Sequence, residues 1–289
     1  MEVRKAVVPA GGLGTRLLPA TRTVPKELLP VVDRPMIHYV VEEAIASGIR
    51  QMVLVLSREK TALEDYFDRL PDLERLLEEK GDRRLLEAVR RTAEMVECVF
   101  VRQPVPLGLG HAVYTARHAV GPEPFAVLLP DDILLAEVPG LEQVLRVWRR
   151  YGGVAVAVER VPREAVSLYG VIRAEEVEPR VHRVHGLVEK PPPSSAPSNL
   201  AIVGRYILPP EVFEVLPQVP PGAKGEIQLT DAMERLREWM PVYAVELEGT
   251  RYDVGTPLGL LKASVAVALR HPDLGPALRE WLRTALEGE

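Results

Sequence analysis

The chain is organised around residues 7–30, which read VVPAGGLGTRLLPATRTVPKELLP. A short apolar run ends at Pro9, and three glycines follow within the next five positions. Glycine has no Cβ and tolerates positive φ, so the N–H groups of such a loop can converge on phosphate oxygens or on the edge of a base. Arg16 and Lys26 add two cations to the same stretch. It therefore predicts a strand followed by an anion-binding loop.

Two common phosphate-binding loops do not fit this stretch. A Walker loop requires Gly-Lys-Ser/Thr after its last glycine, whereas Gly14 is followed by Thr15 and Arg16. The dinucleotide fingerprint requires its glycines to open a helix, and Pro19 and Pro25 prevent a long helix here. On glycine spacing alone, an ordinary strand-to-loop turn explains the pattern equally well. The Pro-Lys-Glu sequence that follows favours a binding site.

Composition excludes several classes of partner. The 289 residues carry 36 Lys and Arg against 41 Asp and Glu, and this net charge of −5 argues against a general nucleic-acid surface. Cys98 is the only cysteine, so no intrachain disulfide can form, and its apolar neighbours favour a core residue over a nucleophile. The sequence shows no signal-peptide pattern and no run of about 18 apolar residues. We therefore expect a cytoplasmic protein with no membrane partner.

Short apolar runs alternate with longer segments of helical periodicity, which is the pattern of strands buried between covering helices. We predict an α/β fold with a Rossmann-like, open, mixed and mostly parallel sheet flanked by helices. The whole chain, 1–289, is predicted to be one domain with a first half at 1–150, a second half at 151–255 and C-terminal helices at 256–289. The predicted strands are 5–9, 51–56, 96–101, 125–129, 154–158, 169–173, 184–188 and 199–206.

Helix predictions rest on periodicity and on terminal signals. Pro35 precedes a helix at 36–47 that Gly48 closes, and residues 71–95 form an amphipathic stretch that Gly81 and Asp82 divide in two. This stretch covers its own core or serves as an oligomer contact, and the first reading is favoured because amphipathic stripes usually face inward. The remaining predicted helices are 112–120, 226–238, 258–269 and 274–286.

Two adjacent carboxylates follow one of the predicted buried strands. Asp131 and Asp132 come directly after the strand at 125–129, at the sheet edge where ligands bind in open α/β folds. Carboxylates beside phosphates repel them unless a cation lies between, and Mg²⁺ is commonly held by one or two carboxylates together with phosphate oxygens. Because adjacent side chains on an extended chain point to opposite sides, we expect a second ligand from elsewhere.

Residues 11–30 and several further segments resemble the same protein family. The further segments are 107–112 (LGLGHA), 129–132 (LPDD), 169–171 (YGV), 188–191 (VEKP), 198–206 (SNLAIVGRY) and 225–232 (GEIQLTDA). Together they resemble the sugar-1-phosphate nucleotidyltransferases, and most closely the bacterial UTP–glucose-1-phosphate uridylyltransferases. The opening loop is shared by relatives that use other nucleotides, whereas 198–206 and 226–231 indicate the uridylyl branch. The resemblance implies the nucleotide-diphospho-sugar transferase type of fold, with the first half binding nucleotide and the second binding sugar.

The resemblance assigns roles to charged residues. It implies that Arg16 and Lys26 hold the triphosphate and that Lys190 binds the sugar phosphate. Asp253 lies in the Asp-x-Gly context of the family, so the resemblance implies that Asp131 and Asp253 hold Mg²⁺ as the cofactor. A cap of a turn or helix is the alternative role for Asp253.

Base and sugar contacts are also implied. Gln103 follows a predicted strand, and its amide has the donors and acceptor that suit the N3–H and carbonyl edge of a pyrimidine. The implied nucleotide-binding set is Gly11, Gly12, Gly14, Glu27, Gln103 and Gly108, and the implied sugar-binding set is Gly170, Glu189 and Asn199. His111 is assigned to structure or to the base pocket, because a sugar phosphate is already an anionic nucleophile and needs no general base.

We therefore expect uridylyl transfer from UTP to glucose 1-phosphate by a homo-oligomer, either a dimer or a tetramer. An enzyme that uses dTTP remains an alternative, because one methyl group is worth only about 1–3 kcal/mol of discrimination. A glycosyltransferase and a non-catalytic nucleotide-sugar sensor are further alternatives. Arg22 and Lys224 depart from the family's commoner pattern, and neither disturbs the predicted reaction type.

Overall fold

A nine-stranded mixed sheet forms the centre of the computed structural model, which describes residues 2–222 and 225–287. Lys224 lies outside the described residues. The strands are β1 Lys5–Ala10, β2 Pro30–Val31, β3 Arg34–Pro35, β4 Gln51–Leu56, β5 Glu97–Arg102, β6 Phe125–Leu128, β7 Asp132–Leu135, β8 Val154–Arg160, β9 Gly170–Glu178, β10 Val181–Glu189, β11 Leu200–Leu208, β12 Val242–Glu246 and β13 Thr250–Asp253. The main sheet has the order β5-β4-β1-β6-β11-β8-β12-β10-β9, and β7 pairs with β13 and β2 with β3 in two small ladders.

Helices cover both faces of this sheet. They are α1 Met36–Ala46, α2 Thr61–Phe67, α3 Pro71–Lys80, α4 Arg83–Glu94, α5 Leu109–Thr115, α6 Arg117–Val120, α7 Gly140–Tyr151, α8 Val212–Val215, α9 Leu229–Leu236, α10 Pro257–Arg270 and α11 Gly275–Glu287. Strand β1 shows why two cores form, since successive side chains of a strand point to opposite faces. Val7 packs with α5, α6, α8 and α9, whereas Ala6 and Val8 pack with α1, α2 and α7.

The predicted mixed α/β fold is confirmed, but the mostly parallel character holds only for the first half. Strands β5, β4, β1 and β6 are parallel to one another. Strand β11 is antiparallel to both β6 and β8, and β10 is antiparallel to β12 and β9. Strand β9 also pairs with β11 between Val171 and Ala201, so the second half curls back on itself. The predicted first and second halves share one continuous sheet through the β6–β11 ladder.

Two predicted helices begin at other residues than expected. The helix predicted at 226–238 begins only at Leu229, because the preceding residues are held extended against another loop. Ile227 donates its N–H to the carbonyl of Leu107 at 2.7 Å and accepts from the N–H of Gly110 at 2.8 Å. The helix predicted at 112–120 is two short helices, α5 and α6, and His111 lies inside the first of them. Tertiary hydrogen bonds thus decided where α9 begins.

Other local predictions are confirmed. Gly81 ends α3 in the left-handed conformation at φ 71°, and the carboxylate of Asp82 caps α4 by accepting from the N–H of Leu85. Cys98 lies part-buried in β5, where burial raises the pKa of its thiol to about 12 and keeps it unreactive. No helix in the described part of the chain is long and apolar enough to cross a membrane.

Gly153 provides a test of the junction between β8 and β12. It has φ 67°, and a Cβ at this position would lie 2.0 Å from the carbonyl oxygen of Pro241, a backbone atom that cannot move freely. We expect Gly153→Ala to lower the free energy of unfolding by about 3 kcal/mol, measured by urea titration. Gly81→Ala is the matched control, because Gly81 also has positive φ but open space around it. It should cost about 1–2 kcal/mol. Equal losses would contradict the steric argument.

Candidate active site

The predicted site residues follow the carboxyl ends of neighbouring strands. Strand β1 lies between β4 and β6, so the chain leaves β1 at the point where strand order reverses. Gly11 follows β1 directly, Gln103 follows β5, and Asp131 comes shortly after β6. Crevices at such points are where ligands bind in open α/β sheets. The sheet therefore brings together residues that are more than 100 positions apart in the sequence.

The glycine-rich loop contains no α-helix, as Pro19 and Pro25 predict. It consists of three short 3₁₀ turns, Thr15–Leu17, Ala20–Arg22 and Lys26–Leu28. Gly14 has φ 66°, and a Cβ there would lie within 3.3 Å of both Thr21 and the Lys26 side chain. Thr21 donates its hydroxyl hydrogen to the Gly14 carbonyl at 2.8 Å. A glycine is needed at this position so that the loop can fold back and place Lys26 over the end of the sheet.

Two cations and two carboxylates of the predicted set meet at this rim. Lys26 Nζ lies 2.6 Å from Asp131 Oδ2, and both side chains are largely buried. The guanidinium of Arg16 reaches Asp131 at 3.4 Å and Asp253 at 3.3 Å. Burial alone would lower the pKa of Lys26, but the charges of Asp131 and Glu27 and the hydrogen bond to Asp131 together outweigh it, so the pKa is raised. Burial would likewise raise the pKa of Asp131, but Lys26 and Arg16 hold it below its ordinary value. Both groups are therefore charged at neutral pH.

Asp131 and Asp253 face one small space that suits a divalent cation. A Cβ at Gly255 would lie 2.6 Å from Arg16 Nη2, 2.8 Å from Asp131 Oδ2 and 3.0 Å from Asp253 Oδ1, so glycine gives these three side chains room to converge. Gly255 also donates its N–H to Asp253 Oδ1 at 3.0 Å. No group of three or more His, Cys, Asp or Glu suited to a metal occurs among the described residues. Two carboxylates fit Mg²⁺, which takes its other ligands from water and substrate phosphates.

Asp132 has different partners from its neighbour. Its Oδ2 accepts from the N–H of Gly204 at 3.0 Å, and its Oδ1 pairs with Arg251. Burial raises the pKa of Asp132 despite the attraction of Arg251. The two adjacent carboxylates therefore point to separate environments, and Asp132 belongs to the supporting structure of the site.

The candidate base pocket lies on the other side of the glycine-rich loop. Gln103 is 6% exposed, and its Oε1 would lie 2.7 Å from a Cβ added at Gly11. Its Nε2 donates to His111 Nδ1 at 2.9 Å and approaches the carbonyl of Gly108 at 3.4 Å. Burial lowers the pKa of His111, so the ring is neutral and can accept this bond. The structure thus brings Gln103, Gly11 and Gly108 together, with His111 orienting the amide.

Glu27 does not lie in the pocket, although it was predicted to bind nucleotide. Its side chain is 0% exposed, and both carboxylate oxygens accept from Lys60 Nζ, at 2.9 and 2.7 Å. A buried carboxylate needs such a partner, and the pair ties the turn at Lys26 to the loop after β4. Glu27 therefore positions Lys26 and does not reach a nucleotide in this conformation.

The sugar-side residues fall into two groups. Gly170 and Glu189 lie together, since a Cβ at Gly170 would be 3.2 Å from Glu189 Oε2. Lys190, held at φ 45°, pairs with Glu189 at 3.0 Å and is half-exposed. Asn199 lies apart from them, and its amide donates to the carbonyl of Val161 at 3.3 Å.

A cleft of about 480 Å³ joins the sugar side to the cation rim. Its lining includes four residues of the predicted set and two that sequence analysis gave no role, namely Arg16, Asp131, Lys190, Asp253, Tyr169 and Arg251. The cation rim and Lys190 therefore open into one cavity.

Comparisons with known proteins agree with this geometry. A family model described as nucleotidyl transferase matches residues 5–269. The chain belongs to the nucleotidyl transferase family. It is 47% identical over 288 residues to the UTP–glucose-1-phosphate uridylyltransferase of Bacillus subtilis, with 100% of this chain and 99% of that protein covered. The resemblance seen in the motifs is thereby confirmed.

Solved structures show the same relationship. A UTP-bound UGPase from Acinetobacter baumannii superposes with a TM-score of 0.90 at 42% identity, covering 97% of this chain and 99% of that one. A UDP-glucose pyrophosphorylase complexed with UDP-glucose superposes with a TM-score of 0.85 at 42% identity, covering 93% of this chain and 100% of that one. The nucleotidyl transferase fold is therefore shared over nearly the whole length of the chain.

Sequence analysis missed three residues that shape the nucleotidyl transferase site. Thr230 donates its hydroxyl hydrogen to Glu189 Oε2 at 2.7 Å, although the motif at 226–231 gave it no individual role. Lys60 and Arg251 neutralise buried carboxylates, and each looked like one of many surface cations in the sequence. Only the motif around Thr230 offered a signal that could have identified its residue in advance.

Gly11 and Gly12 allow a sharp test of the base pocket. A Cβ at Gly11 would displace the Gln103 amide, whereas a Cβ at Gly12 would meet nothing within 4 Å. We expect Gly11→Ala to weaken binding of the preferred nucleoside triphosphate at least about tenfold more than Gly12→Ala does, because misplacing a buried hydrogen-bonding group leaves it unpaired. Isothermal titration calorimetry measures both dissociation constants. Equal weakening by the two variants would exclude Gln103 from the pocket.

Proposed function

We propose that this protein transfers the uridylyl group of UTP to α-D-glucose 1-phosphate and releases UDP-glucose and pyrophosphate. One observation carries this function most directly: Arg16, Lys26, Asp131, Asp253 and Lys190 line or adjoin one cleft. The choice of UTP and glucose 1-phosphate is supported by the names of the relatives that match the chain over its full length. The UTP and UDP-glucose bound in similar structures point to the same pair of substrates.

Charge explains why such a site is needed. A nucleoside triphosphate and a sugar phosphate together carry about six negative charges, and their approach in a desolvated cleft would be strongly unfavourable without cations. Arg16, Lys26 and Lys190 supply three positive charges, and one divalent ion adds two. The carboxylates of Asp131 and Asp253 take up two of these charges, so the site offsets about half of the charge of the reactants and lets them approach each other without a covalent enzyme intermediate.

In this reaction, a phosphate oxygen of glucose 1-phosphate attacks the α-phosphorus of UTP. A new oxygen–phosphorus bond forms while the bond to the β-phosphate oxygen breaks, and its electron pair leaves with pyrophosphate. No general base is required, because the attacking oxygen is already anionic. We assign Arg16 and Lys26 to the triphosphate and Lys190 to the sugar phosphate, since Lys190 enters the same cleft from the opposite half of the chain.

Asp131 and Asp253 would hold the Mg²⁺ ion that the resemblance implies. Such an ion would neutralise phosphate charge as it develops on the leaving group. Lys26 and Arg16 already pair with these two carboxylates, and both cations can shift to phosphate oxygens when the ion and nucleotide arrive. The opening loop thus places its cations where charge appears during the reaction.

Base and sugar are assigned to two separate groups of residues. We assign uracil to Gln103 with the backbone at Gly11 and Gly108, because these two lie beside the buried amide, and at Gly12 on the resemblance alone. Glucose hydroxyls are assigned to Glu189, which Thr230 orients, and to the backbone at Gly170, with Asn199 included on the resemblance alone.

Domain organisation, location and assembly complete the proposal. We propose that the chain acts as one domain in the cytoplasm, because both halves share one sheet and the single cysteine suits a reducing compartment. Assembly into a dimer or tetramer is likewise a proposal. It is supported by large exposed apolar side chains on α10 and α11, such as Leu261 and Trp281.

A substrate panel tests the proposed reaction. The protein is mixed with glucose 1-phosphate, Mg²⁺ and each common nucleoside triphosphate in turn, and pyrophosphate release is measured. We expect UTP to react much faster than dTTP. Faster release with dTTP would assign the protein to thymidylyl transfer, and no release with any triphosphate would favour a nucleotide-sugar sensor.

The role of Asp131 can be tested separately. Asp131→Asn keeps the shape of the side chain but removes its charge, so we expect kcat to fall by about 100-fold or more while the protein stays folded. Asp72→Asn is the control, because the Asp72 side chain is 94% exposed on α3. Its kcat should equal that of the unaltered protein. An active Asp131→Asn variant would remove Asp131 from the metal site.

A further inference from the structure

Arg205 is a buried cation close to the candidate active site, and its guanidinium is fully hydrogen-bonded. It contacts neither of the positions proposed for the substrates. It lies in β11 with 3% of its side chain exposed. Its Nε and Nη2 donate to the two carboxylate oxygens of Glu43, both at 2.7 Å. Its remaining N–H groups donate to the carbonyls of Leu129, Gly204 and Asp132, at 3.4, 2.9 and 2.8 Å. All five donors of the guanidinium are therefore used.

Two of these carbonyls bracket Asp131 in the chain. Leu129 lies two residues before it and Asp132 one residue after it, so one rigid guanidinium fixes both sides of the turn that carries the carboxylate. The backbone N–H of Leu129 also donates to Gly204 at 2.9 Å, and Gly204 donates to Asp132 Oδ2 at 3.0 Å. The turn at Asp131 is thus bound to β11 through both its main chain and a side chain.

Asp253, the second carboxylate of the proposed metal site, is attached to the same turn. Asp253 pairs with Asp132 at the end of the β7–β13 ladder. Val254 donates its N–H to the carbonyl of Asp131 at 2.9 Å. Any shift of residues 129–132 would therefore move both carboxylates relative to Lys26 and Arg16.

Glu43 anchors the guanidinium from the helical layer that covers this face of the sheet. It lies in α1, and its Oε1 also accepts from the N–H of Leu141 at the start of α7. Two helices and β11 therefore hold Arg205 in one orientation. A buried ion pair is often no more stabilising than a well-packed apolar pair of similar volume. A gain in stability therefore does not explain why the Arg205–Glu43 pair lies next to the turn that carries Asp131.

We propose that Arg205, held by Glu43, is a positioning residue that sets the geometry of the metal-site carboxylates Asp131 and Asp253. This role rests on the proposed nucleotidyl transfer at that site. The rigid fork of arginine suits it, because a fixed planar group with five donors can bind one carboxylate and three carbonyls at once. Lysine in the same place would keep the charge and lose most of these bonds.

Arg205→Lys tests this role by two independent readouts. Hydrogen exchange measured by mass spectrometry without ligands should rise in the peptides that cover 125–135 and 250–256, and should stay unchanged in α3 and α4. In the uridylyl transfer assay, kcat should fall about 30- to 100-fold while KM for both substrates stays within about threefold, because the loss is one of positioning. The Mg²⁺ concentration for half-maximal rate should also rise.

Arg160→Lys is the matched control. Arg160 lies in β8, also forms a two-pronged pair with a glutamate, Glu246, and lies outside the cleft. Its exchange pattern and kinetics should equal those of the unaltered protein.

Glu43→Gln is the second variant, which keeps the shape of the anchor and removes its charge. It should raise hydrogen exchange in the same peptides as Arg205→Lys and lower kcat by a smaller factor than Arg205→Lys does. It also keeps the test decisive if Arg205→Lys does not fold.

The outcomes separate this role from the proposed function. If the unaltered protein shows no transfer with UTP, the proposed function fails, but the exchange result still reports whether Arg205 fixes the turn. Unchanged exchange at 125–135, or a kcat within twofold of the unaltered protein, would overturn the positioning role. A rise in exchange throughout the molecule in both variants would also overturn it, because a merely structural residue would act in that way.

Discussion

The ion pair between Lys26 and Asp131 is the interaction on which the site depends. It joins the glycine-rich loop after β1 to the turn after β6, at 2.6 Å and largely out of solvent. Opposite charges this close hold each other ionised, so the rim keeps both its cation and its anion at neutral pH. Arg16 extends the pair to Asp253. The resulting cluster can exchange partners with phosphate groups and a divalent ion without large movements of the chain.

The mixed sheet explains how two anionic reactants can meet at this cluster. Its parallel half ends in the loops that carry Gly11, Gln103 and Asp131, whereas its antiparallel half carries Glu189 and Lys190. Strand β11 joins the halves by pairing with β6. The cleft therefore lies at a junction between a parallel and a largely antiparallel part of the sheet. This division also explains why the cleft is lined by residues from distant parts of the sequence.

Residues whose role depends on a local motif were predictable from sequence. Gly14 and the two prolines of the loop indicated a tight, non-helical path, and the structure has such a path. Residues whose role depends on a distant partner were not predictable. Glu27 was assigned to nucleotide on the family resemblance, but its carboxylate is buried against Lys60, 33 positions away. Arg205 lies in a quoted motif, and nothing in that motif indicates Glu43, 162 positions away.

The sequence by itself determined the family, the alternation of strands and helices, and the glycine-rich loop that carries Arg16 and Lys26. These features follow from the periodicity of apolar residues and from the backbone freedom of glycine and proline, which act within a few positions of one another. Only the tertiary structure decided which carboxylates face one space, which are consumed in buried ion pairs, and where helices such as α9 begin. Those outcomes depend on contacts between segments far apart in the chain, and each buried charge or backbone group takes whichever partner the packing brings within reach.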